Sequence, residues 1–274
     1  MSTFAWLKGH GTENDFVLLP DPDGSVHGDL APELVRFLCD RHAGIGADGV
    51  LRVIDGSQQT YVEDGGEWFM DYRNADGSTA EMCGNGIRVF VRYLVDEGLT
   101  TGKPVRIGTR AGVKEVVVHD DGTITADLGS PQVLGESKVA VPGHAWVARH
   151  VDMGNPHAVA FVDSLDDAGH LLDPPEHDPA TYPDGVNVEF VVRRGDRHVA
   201  MRVHERGSGE TRSCGTGACA VMVAAAVADG VSRDSDVSYR VDVPGGTLTV
   251  TWTVDDRVLL TGPAVVVARG TTSL

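Results

Sequence analysis

The chain has 274 residues, 41% hydrophobic and 23% charged, enough for one large or two ordinary globular domains with buried cores. Its net charge of −17, from 23 basic and 40 acidic residues, excludes nucleic acid and anionic membranes as expected partners, since neither attracts a polyanion. No charged-then-apolar leader follows Met1, and the longest apolar run, Ala218 to Ala228, is about half a bilayer span, so a cytoplasmic protein is expected.

In chain order, Phe4 to Leu7 reads as a strand, Lys8 to Asp15 as a Gly-rich loop and Phe16 to Leu19 as a second strand. Asn14 stands at a strand entrance, as a turn residue or a ligand contact. Pro20 to Gly28 reads as an exposed connection, and Pro32 to Asp40 as a helix with Leu34, Val35 and Leu38 at helical spacing. Arg41 to Val50 forms a tight glycine-marked loop into a strand, Val50 to Ile54. A phosphate-cradle reading of that loop lacks both a Walker lysine and a following helix. Gln59 to Tyr72 holds two strand-like runs around an Asp-Gly-Gly turn. Gly84 to Asp96 predicts a helix, with Ile87, Phe90, Val91, Leu94 and Val95 on one face and Gly98 as its stop. Strands follow at Val105 to Ile107, Val113 to Val118 and Ile124 to Leu128.

The second half restates this order. Strands at Ala145 to Val151 and Ala158 to Val162 flank a loop, Met153 to His157, comparable to the one that carries Asn14. Asp173 to Pro183 reads as a proline-rich surface connection. Asp184 to Phe190 echoes Asp48-Gly49-Val50. Gly215 to Asp229 predicts a helix apolar nearly all round and therefore buried on all sides, ended by Gly230. Strands at Val237 to Val243, Thr247 to Val254, Val258 to Thr261 and Ala264 to Ala268 complete the chain.

The two halves carry mirrored punctuation. Asp76 to Gly86, DGSTAEMCGNG, and Ser208 to Gly217, SGETRSCGTG, each set one cysteine before a Gly-x-Gly and an apolar helical run. The offset that superposes Cys83 on Cys214 also superposes Met70 on Met201, Asn74 on Glu205 and Ser78 on Gly209 without a gap. This is an internal duplication. It predicts an α+β fold of two pseudo-symmetric domains, each a strongly bent antiparallel sheet wrapped around a central helix, with the boundary near Ala126.

Four cysteines are too few and too scattered for a disulfide framework, and none has zinc spacing, so free thiols and no metal are expected. Cys39 and Cys219 read as small buried hydrophobes. Cys83 and Cys214 read differently. A helix N-terminus offers unpaired N–H groups and partial positive charge, which lower a thiol pKa and bind an anion beside it. Two facing copies would bind one carboxylate and set a sulfur on each side of the adjacent carbon. That suits a racemase or epimerase, with one cysteine as thiolate and the other as thiol, and N–H donors stabilising the charge that develops on the carboxylate. No lysine sits where a pyridoxal Schiff base would need it, so no organic cofactor is expected.

These motifs closely resemble the diaminopimelate epimerase family, pyridoxal-independent enzymes that convert LL- to meso-diaminopimelate in lysine and peptidoglycan synthesis. NADGS…CGNG, GNPH, GVNVEF and ERGSGETRSCGTGAC occur in the family's order and spacing, from the first loop to the last strand. The resemblance implies that Cys83 and Cys214 are the acid/base pair and that the N–H groups of Gly84, Asn85, Gly215 and Thr216 hold the reacting carboxylate. It implies that Asn14, Asn74, Asn155, Asn187, Glu205 and Arg206 bind the substrate's amino groups and distal carboxylate, and that His157 and Glu205 tune the thiols. It implies domains of residues 1–126 and 127–263, with 264–274 returning to the first, and a homodimer as one expected assembly. Many members have glutamine where this chain has Gly49, so a side-chain contact is expected to be missing there.

Read one at a time, Asn14, Asn155 and Asn187 are also turn residues, Glu205 and Arg206 a surface pair, and His157 a structural histidine. Their joint occurrence around the repeat favours the site. A racemase of one small amino acid would lack the distal-carboxylate site that Arg206 and the asparagines suggest. A disulfide oxidoreductase using Cys214 and Cys219 would need thiols that the spacing turns roughly 500° apart around a helix. A non-catalytic binding domain of the same fold would lack the two thiols.

Overall fold

The computed structural model describes residues 3–58, 66–101 and 104–273, apart from the side chain of 273; the strand-like run expected at Gln59–Glu63 lies outside them. In order these residues form β1 (Thr3–Gly11), β2 (Asn14–Pro20), α1 (Pro32–Cys39), β3 (Gly49–Asp55), β4 (Trp68–Asn74), α2 (Gly84–Asp96), β5 (Val105–Thr109), β6 (Gly112–Val118) and β7 (Ile124–Asp127). Then come β8 (Gln132–Val141), β9 (His144–Asp152), β10 (Pro156–Phe161), β11 (Glu176–His177), β12 (Asn187–Gly195), β13 (His198–Glu205), β14 (Gly209–Thr211), α3 (Gly215–Ala228), β15 (Val237–Val243), β16 (Gly246–Trp252), β17 (Val258–Gly262) and β18 (Val265–Ser273). Two compact units result, Met1–Ala126 with Gly262–Leu274, and Asp127–Thr261.

In the first unit β1 lies between β2 and β18, antiparallel to both. β2 runs parallel to β3, β3 antiparallel to β4, and β4 parallel to β5. The second unit follows the same sequence of senses. β9 is antiparallel to β10, β10 parallel to β12, β12 antiparallel to β13, and β13 parallel to β15. The sheets are thus mixed, with parallel neighbours wherever the chain leaves a strand and crosses over before returning. Composition alone does not reveal this, because a strand buried on both faces reads the same in either sense.

Each unit is built around its helix. In α2, Ile87, Val89, Phe90, Val91 and Leu94 are fully buried, packed against β1 to β4 and β18. In α3, every residue from Gly217 to Ala226 is buried, against β9, β10, β12, β13, β15 and β16. Both helices end alike. Gly98 and Gly230 take left-handed φ of 67° and 61°. Behind them Leu99 N–H bonds Leu94 C=O at 2.8 Å, and Val231 N–H bonds Ala226 C=O at 3.1 Å, which closes the last turn.

Three segments depart from the sequence reading. Lys8 to Asp15 is not a loop: β1 runs to Gly11 and β2 begins at Asn14, so only Thr12 and Glu13 form the turn between paired strands. Pro20 to Gly28 is not a plain surface connection. Asp21 is fully buried, accepts the Val26 and His27 N–H groups, and pairs with Arg52 at 2.7 Å. Gln132–Val141, unassigned from sequence, is a strand paired with β9. Only Val139 of its residues is buried, and a register shift between Val133 and Gly135 breaks the period of two, so no apolar alternation marks it.

Phe90 is fully buried at the centre of α2, whereas Phe37 on α1 is 41% exposed. Phe90→Ala is expected to cost about 3–5 kcal/mol in urea unfolding, and Phe37→Ala a small fraction of that. Equal costs would show that α2 is not the core of its unit.

Candidate active site

In the first unit the site starts at Cys83. It is the N-cap of α2, in extended backbone, and its Sγ accepts the Gly86 N–H at 3.4 Å. Gly84 and Asn85 open the helix, and their N–H groups have no acceptor within it. Asn14, first residue of β2, reaches the same end. Its Oδ1 accepts from Asn85 Nδ2 at 3.2 Å and from Cys83 Sγ at 3.8 Å. The other side of that amide is fixed, with Asn14 Nδ2 donating to Asp48 Oδ2 at 2.8 Å.

Asp48 is held in turn. Arg41 bridges it and Asp15 at 2.7 and 2.8 Å, and Lys8 meets Asp15 at 2.7 Å. Burial pushes the Asp48 carboxyl up. Burial also opposes ionisation of Asp15, but hydrogen bonds from Arg41 and Lys8 outweigh it and bring Asp15 to about 2. Arg88 is fully buried and donates to Asn85 Oδ1 at 2.7 Å. Asn74 sits in the turn ahead of Cys83, its amide donating to Ser78 Oγ at 3.0 Å.

The second unit repeats the pattern with different lining. Cys214 is the N-cap of α3, and its Sγ accepts the Gly217 N–H at 3.4 Å. Gly215 and Thr216 open the helix. Thr216 Oγ1 lies 3.6 Å from Sγ and accepts from Asn155 Nδ2 at 3.4 Å. Asn155 Oδ1 is 3.1 Å from His157 Nε2, and His157 Nδ1 is 2.6 Å from Glu189 Oε1. His157 and Glu189 are both fully buried. Burial, then the carboxyls of Glu205 and Glu189, push the Cys214 thiol well above its ordinary pKa. Burial likewise pushes up the Glu189 carboxyl.

Glu205 accepts the Thr211 hydroxyl. Asn187 takes the Arg206 N–H at 2.9 Å on its Oδ1 and donates to Pro156 C=O at 3.1 Å. The Arg206 guanidinium reaches Asp184 C=O at 3.2 Å. Most of the expected residues join two networks, while Asn74 bonds Ser78 and Glu205 bonds Thr211, apart from either cysteine's hydrogen-bond chain. Asn14, Gly84 and Asn85 gather at Cys83. Asn155, His157, Gly215 and Thr216 gather at Cys214, and Asn187 and Arg206 join the loop after β13. Cys39 and Cys219 are buried and in no disulfide, and burial raises Cys39 to about 12. Among the described residues no His/Cys/Asp/Glu group could hold a metal ion, and no helix is long and apolar enough to cross a membrane.

Sequence reading missed Asp48, Arg88 and Glu189. Arg88 and Glu189 had a signal: each is a lone charge inside an apolar run, Ile87–Val91 or Val188–Val192. Asp48 looked like an ordinary Asp-Gly turn.

The diaminopimelate epimerase family model matches residues 6–134 and 149–267. Diaminopimelate epimerase of Streptomyces coelicolor is 56% identical over 279 residues, spanning 98% of this chain and 96% of that protein. The enzyme of the same name from Mycolicibacterium smegmatis is 46% identical, spanning 97% and 95%. Among solved structures, a PhzF-family phenazine biosynthesis protein from Bacillus anthracis superposes with a TM-score of 0.76 at 17% identity, covering 100% of both chains. A hydroxyproline epimerase from Agrobacterium vitis superposes at 0.68 with 15% identity, covering 99% and 93%. At those identities the likeness is one of fold.

Gly49 has no room for a glutamine. An added Cβ would lie 2.7 Å from Arg73 C=O and 2.8 Å from Tyr72 Cε2. Gly49→Gln is expected to destabilise the fold by about 1–3 kcal/mol in urea unfolding through overpacking. A variant as stable as the parent would show that Tyr72 moves aside freely.

Proposed function

The chain belongs to the diaminopimelate epimerase family, and we propose that it converts LL-2,6-diaminopimelate to meso-diaminopimelate by two-base proton transfer at one α-carbon, in lysine and peptidoglycan precursor synthesis. The observation that carries the mechanism is the duplicated helix start, with a thiol as N-cap in each unit and two helix-opening N–H groups beside it. One sulfur, as thiolate, takes the α-proton. The electron pair left on carbon spreads into the α-carboxylate, whose growing charge is met by the N–H groups of Gly84, Asn85, Gly215 and Thr216. The other sulfur, as thiol, returns a proton to the opposite face. The two cysteines end with exchanged protonation, and the reverse reaction restores it. Acceptor, donor and carboxylate cradle all come from the chain, so the step asks for no cofactor.

Asn14, Asn74, Asn155, Asn187, Glu205 and Arg206 are assigned to the substrate's amino groups and distal carboxylate, and His157 and Glu205 to tuning of the thiols. The fixed amide of Asn14 supports a binding role, because an Asn whose Nδ2 is held by Asp48 presents its Oδ1 in one direction only. The two halves of the enzyme are residues 1–126 with 264–274, and 127–263. The acidic composition supports a cytoplasmic enzyme that binds neither nucleic acid nor membrane. We assign it a homodimeric assembly, which sedimentation at working concentration would read directly.

With reduced, pyridoxal-free protein in D₂O, proton NMR of LL-diaminopimelate should show loss of the α-proton signal and appearance of the meso isomer. Alanine at Cys83 or Cys214 should abolish epimerisation, and alanine at Cys39 should leave it nearly intact. No exchange in a folded, reduced sample would sink the proposal. Mild oxidation of the substrate-free enzyme should join Cys83 to Cys214 and stop turnover until a reductant is added. Peptide mapping that finds no such crosslink would count against thiols that face one carbon.

A further inference from the structure

Asn85 and Asn14 are the middle of a hydrogen-bonded chain at the start of α2, and charged groups stand at both ends of it. Arg88 Nη2 donates to Asn85 Oδ1 at 2.7 Å, Asn85 Nδ2 donates to Asn14 Oδ1 at 3.2 Å, and Asn14 Nδ2 donates to Asp48 Oδ2 at 2.8 Å. An amide can turn either end to a neighbour, but the two end groups have no such choice. A guanidinium only donates. The Asp48 carboxyl is an acceptor at both oxygens, taking Arg41 on Oδ1 and the Asp15 N–H with Asn14 on Oδ2. Reversing the two amides together would set NH2 against guanidinium at one end and oxygen against carboxylate at the other. Reversing one alone would break the bond between them as well. Both amides therefore point one way, and Asn14 turns its oxygen to Cys83 Sγ at 3.8 Å. In the second unit Asn155 instead lies between the Thr216 hydroxyl and the His157 ring, each of which donates or accepts.

Packing alone does not explain the arginine. Arg88 is fully buried, and a charge taken out of water is costly. Its head reaches back to Asn85, the second residue of α2, and a helix start is the wrong end for a cation. The neighbouring strand gives up a side chain to admit it. A Cβ added at Gly11, the last residue of β1, would lie 2.9 Å from Arg88 Nη2 and 3.1 Å from the Asn85 C=O. An apolar residue at position 88 would avoid all three costs, and replacing buried charges with well-packed apolar side chains is often neutral or stabilising. The charge is therefore expected to have a use.

We infer that Arg88 is a positioning residue that, with Asp48 at the opposite end, fixes the sense of the Asn85 and Asn14 amides, so that Asn14 keeps an oxygen beside the Cys83 sulfur and the substrate carboxylate is left to the helix-opening N–H groups. This rests on the epimerase reading above and deepens it. An Asn14 turned the other way would put an NH2 donor beside the sulfur. A carboxylate bound there would be drawn off the N–H groups of Gly84 and Asn85, and its α-carbon would move away from the thiol. With Arg88 in place the Asn14 oxygen repels a carboxylate from that spot. Arg88 thus governs how the substrate lies more than how tightly it binds, and small errors in placement are costly to rate.

The test compares Arg88→Lys, Arg88→Gln and Arg88→Met. Lysine keeps a head that only donates, glutamine brings one that donates or accepts, and methionine brings neither. Exchange of asparagine side-chain NH2 protons with D₂O is followed by ¹⁵N NMR in the substrate-free protein, with the signals assigned from Asn14→Ala and Asn85→Ala, and kcat and KM are measured alongside. The NH2 groups of Asn14 and Asn85 are expected to exchange slowly in the parent and in Arg88→Lys, and at least about tenfold faster in the Gln and Met variants, with Asn155 unchanged. In the Gln and Met variants kcat is expected to fall by at least about tenfold while KM changes less, and in Arg88→Lys kcat should stay within about threefold of the parent. A packing role would give the opposite order, because methionine suits an apolar site best and a buried lysine worst. Arg88→Met as active as the parent, Arg88→Lys as slow as Arg88→Met, or unchanged amide exchange in the Gln and Met variants would overturn the assignment. Where the Arg88 variants do not fold, Asp48→Asn reads the same lock from its half-buried end. Exchange at Asn14 should then quicken by about tenfold, and an unchanged rate would overturn the assignment equally. Because amide exchange needs no substrate, failure of the epimerase reading would show as an inactive parent and not in the exchange rates.

Discussion

The structure depends on a sulfur atom that caps a helix. At both starts a cysteine in extended backbone accepts the N–H of the third helical residue, the contact usually made by Ser, Thr, Asp or Asn. An oxygen cap is worth about 1 kcal/mol, and sulfur is a weaker acceptor. Two buried helices therefore forgo part of an easily available stabilisation, a pattern expected when the capping atom is retained for chemistry. The same contact gives the chemistry its direction. An N–H aimed at sulfur favours the thiolate. Everything else in each unit serves to hold that cap still, since the helix behind it is buried almost entirely and closed at its far end by a left-handed glycine.

Rigidity around the caps comes from polar chains as well as from packing. In the first unit Lys8, Asp15, Arg41 and Asp48 form a connected set whose last member grips Asn14. Exposed pairs of this kind contribute little to stability individually. Here the network fixes which way one amide points, and an amide that cannot flip presents a defined acceptor. Asp21, Arg52, Asp71 and Arg110 make a second buried set in the same unit, linking the segment after β2 to the strands beside it. The second unit reaches the same end with the Glu189–His157–Asn155 chain, which is shorter and whose acid and histidine are fully buried.

How much could be read from sequence follows from which interactions are local. The helices at Gly84 and Gly215 were legible because their caps, apolar faces and terminal glycines all lie within one stretch of chain. The duplication was legible because Cys-Gly-x-Gly is dense punctuation at a fixed offset. The parallel pairings were not, because strand sense depends on where a crossover lands. β8 was hidden by its exposure and its bulge. Asp21 was hidden in a segment of turn residues, because its partner Arg52 lies on a different strand. Among site residues, the motif positions Asn14, Asn155 and His157 were visible, while Asp48, Arg88 and Glu189, which hold them, act across the fold and looked like an ordinary turn or strays in apolar runs.

Duplication supplies two equivalent caps, but the two-base epimerisation proposed above needs inequivalent ones, since at any instant one sulfur must hold a proton and the other must not. Symmetry would leave that choice to chance, and a fraction of the enzyme would sit with both thiols protonated or both ionised, unable to act. The N–H caps match in length as well as in kind, but the side chains at the sulfurs differ: Asn14 Oδ1 accepts from Cys83 Sγ, whereas the Thr216 hydroxyl lies beside Cys214 Sγ. What each helix start rests on differs as well. One rests on phenylalanine and leucine, the other on histidine and glutamate, at places the strand registers make equivalent.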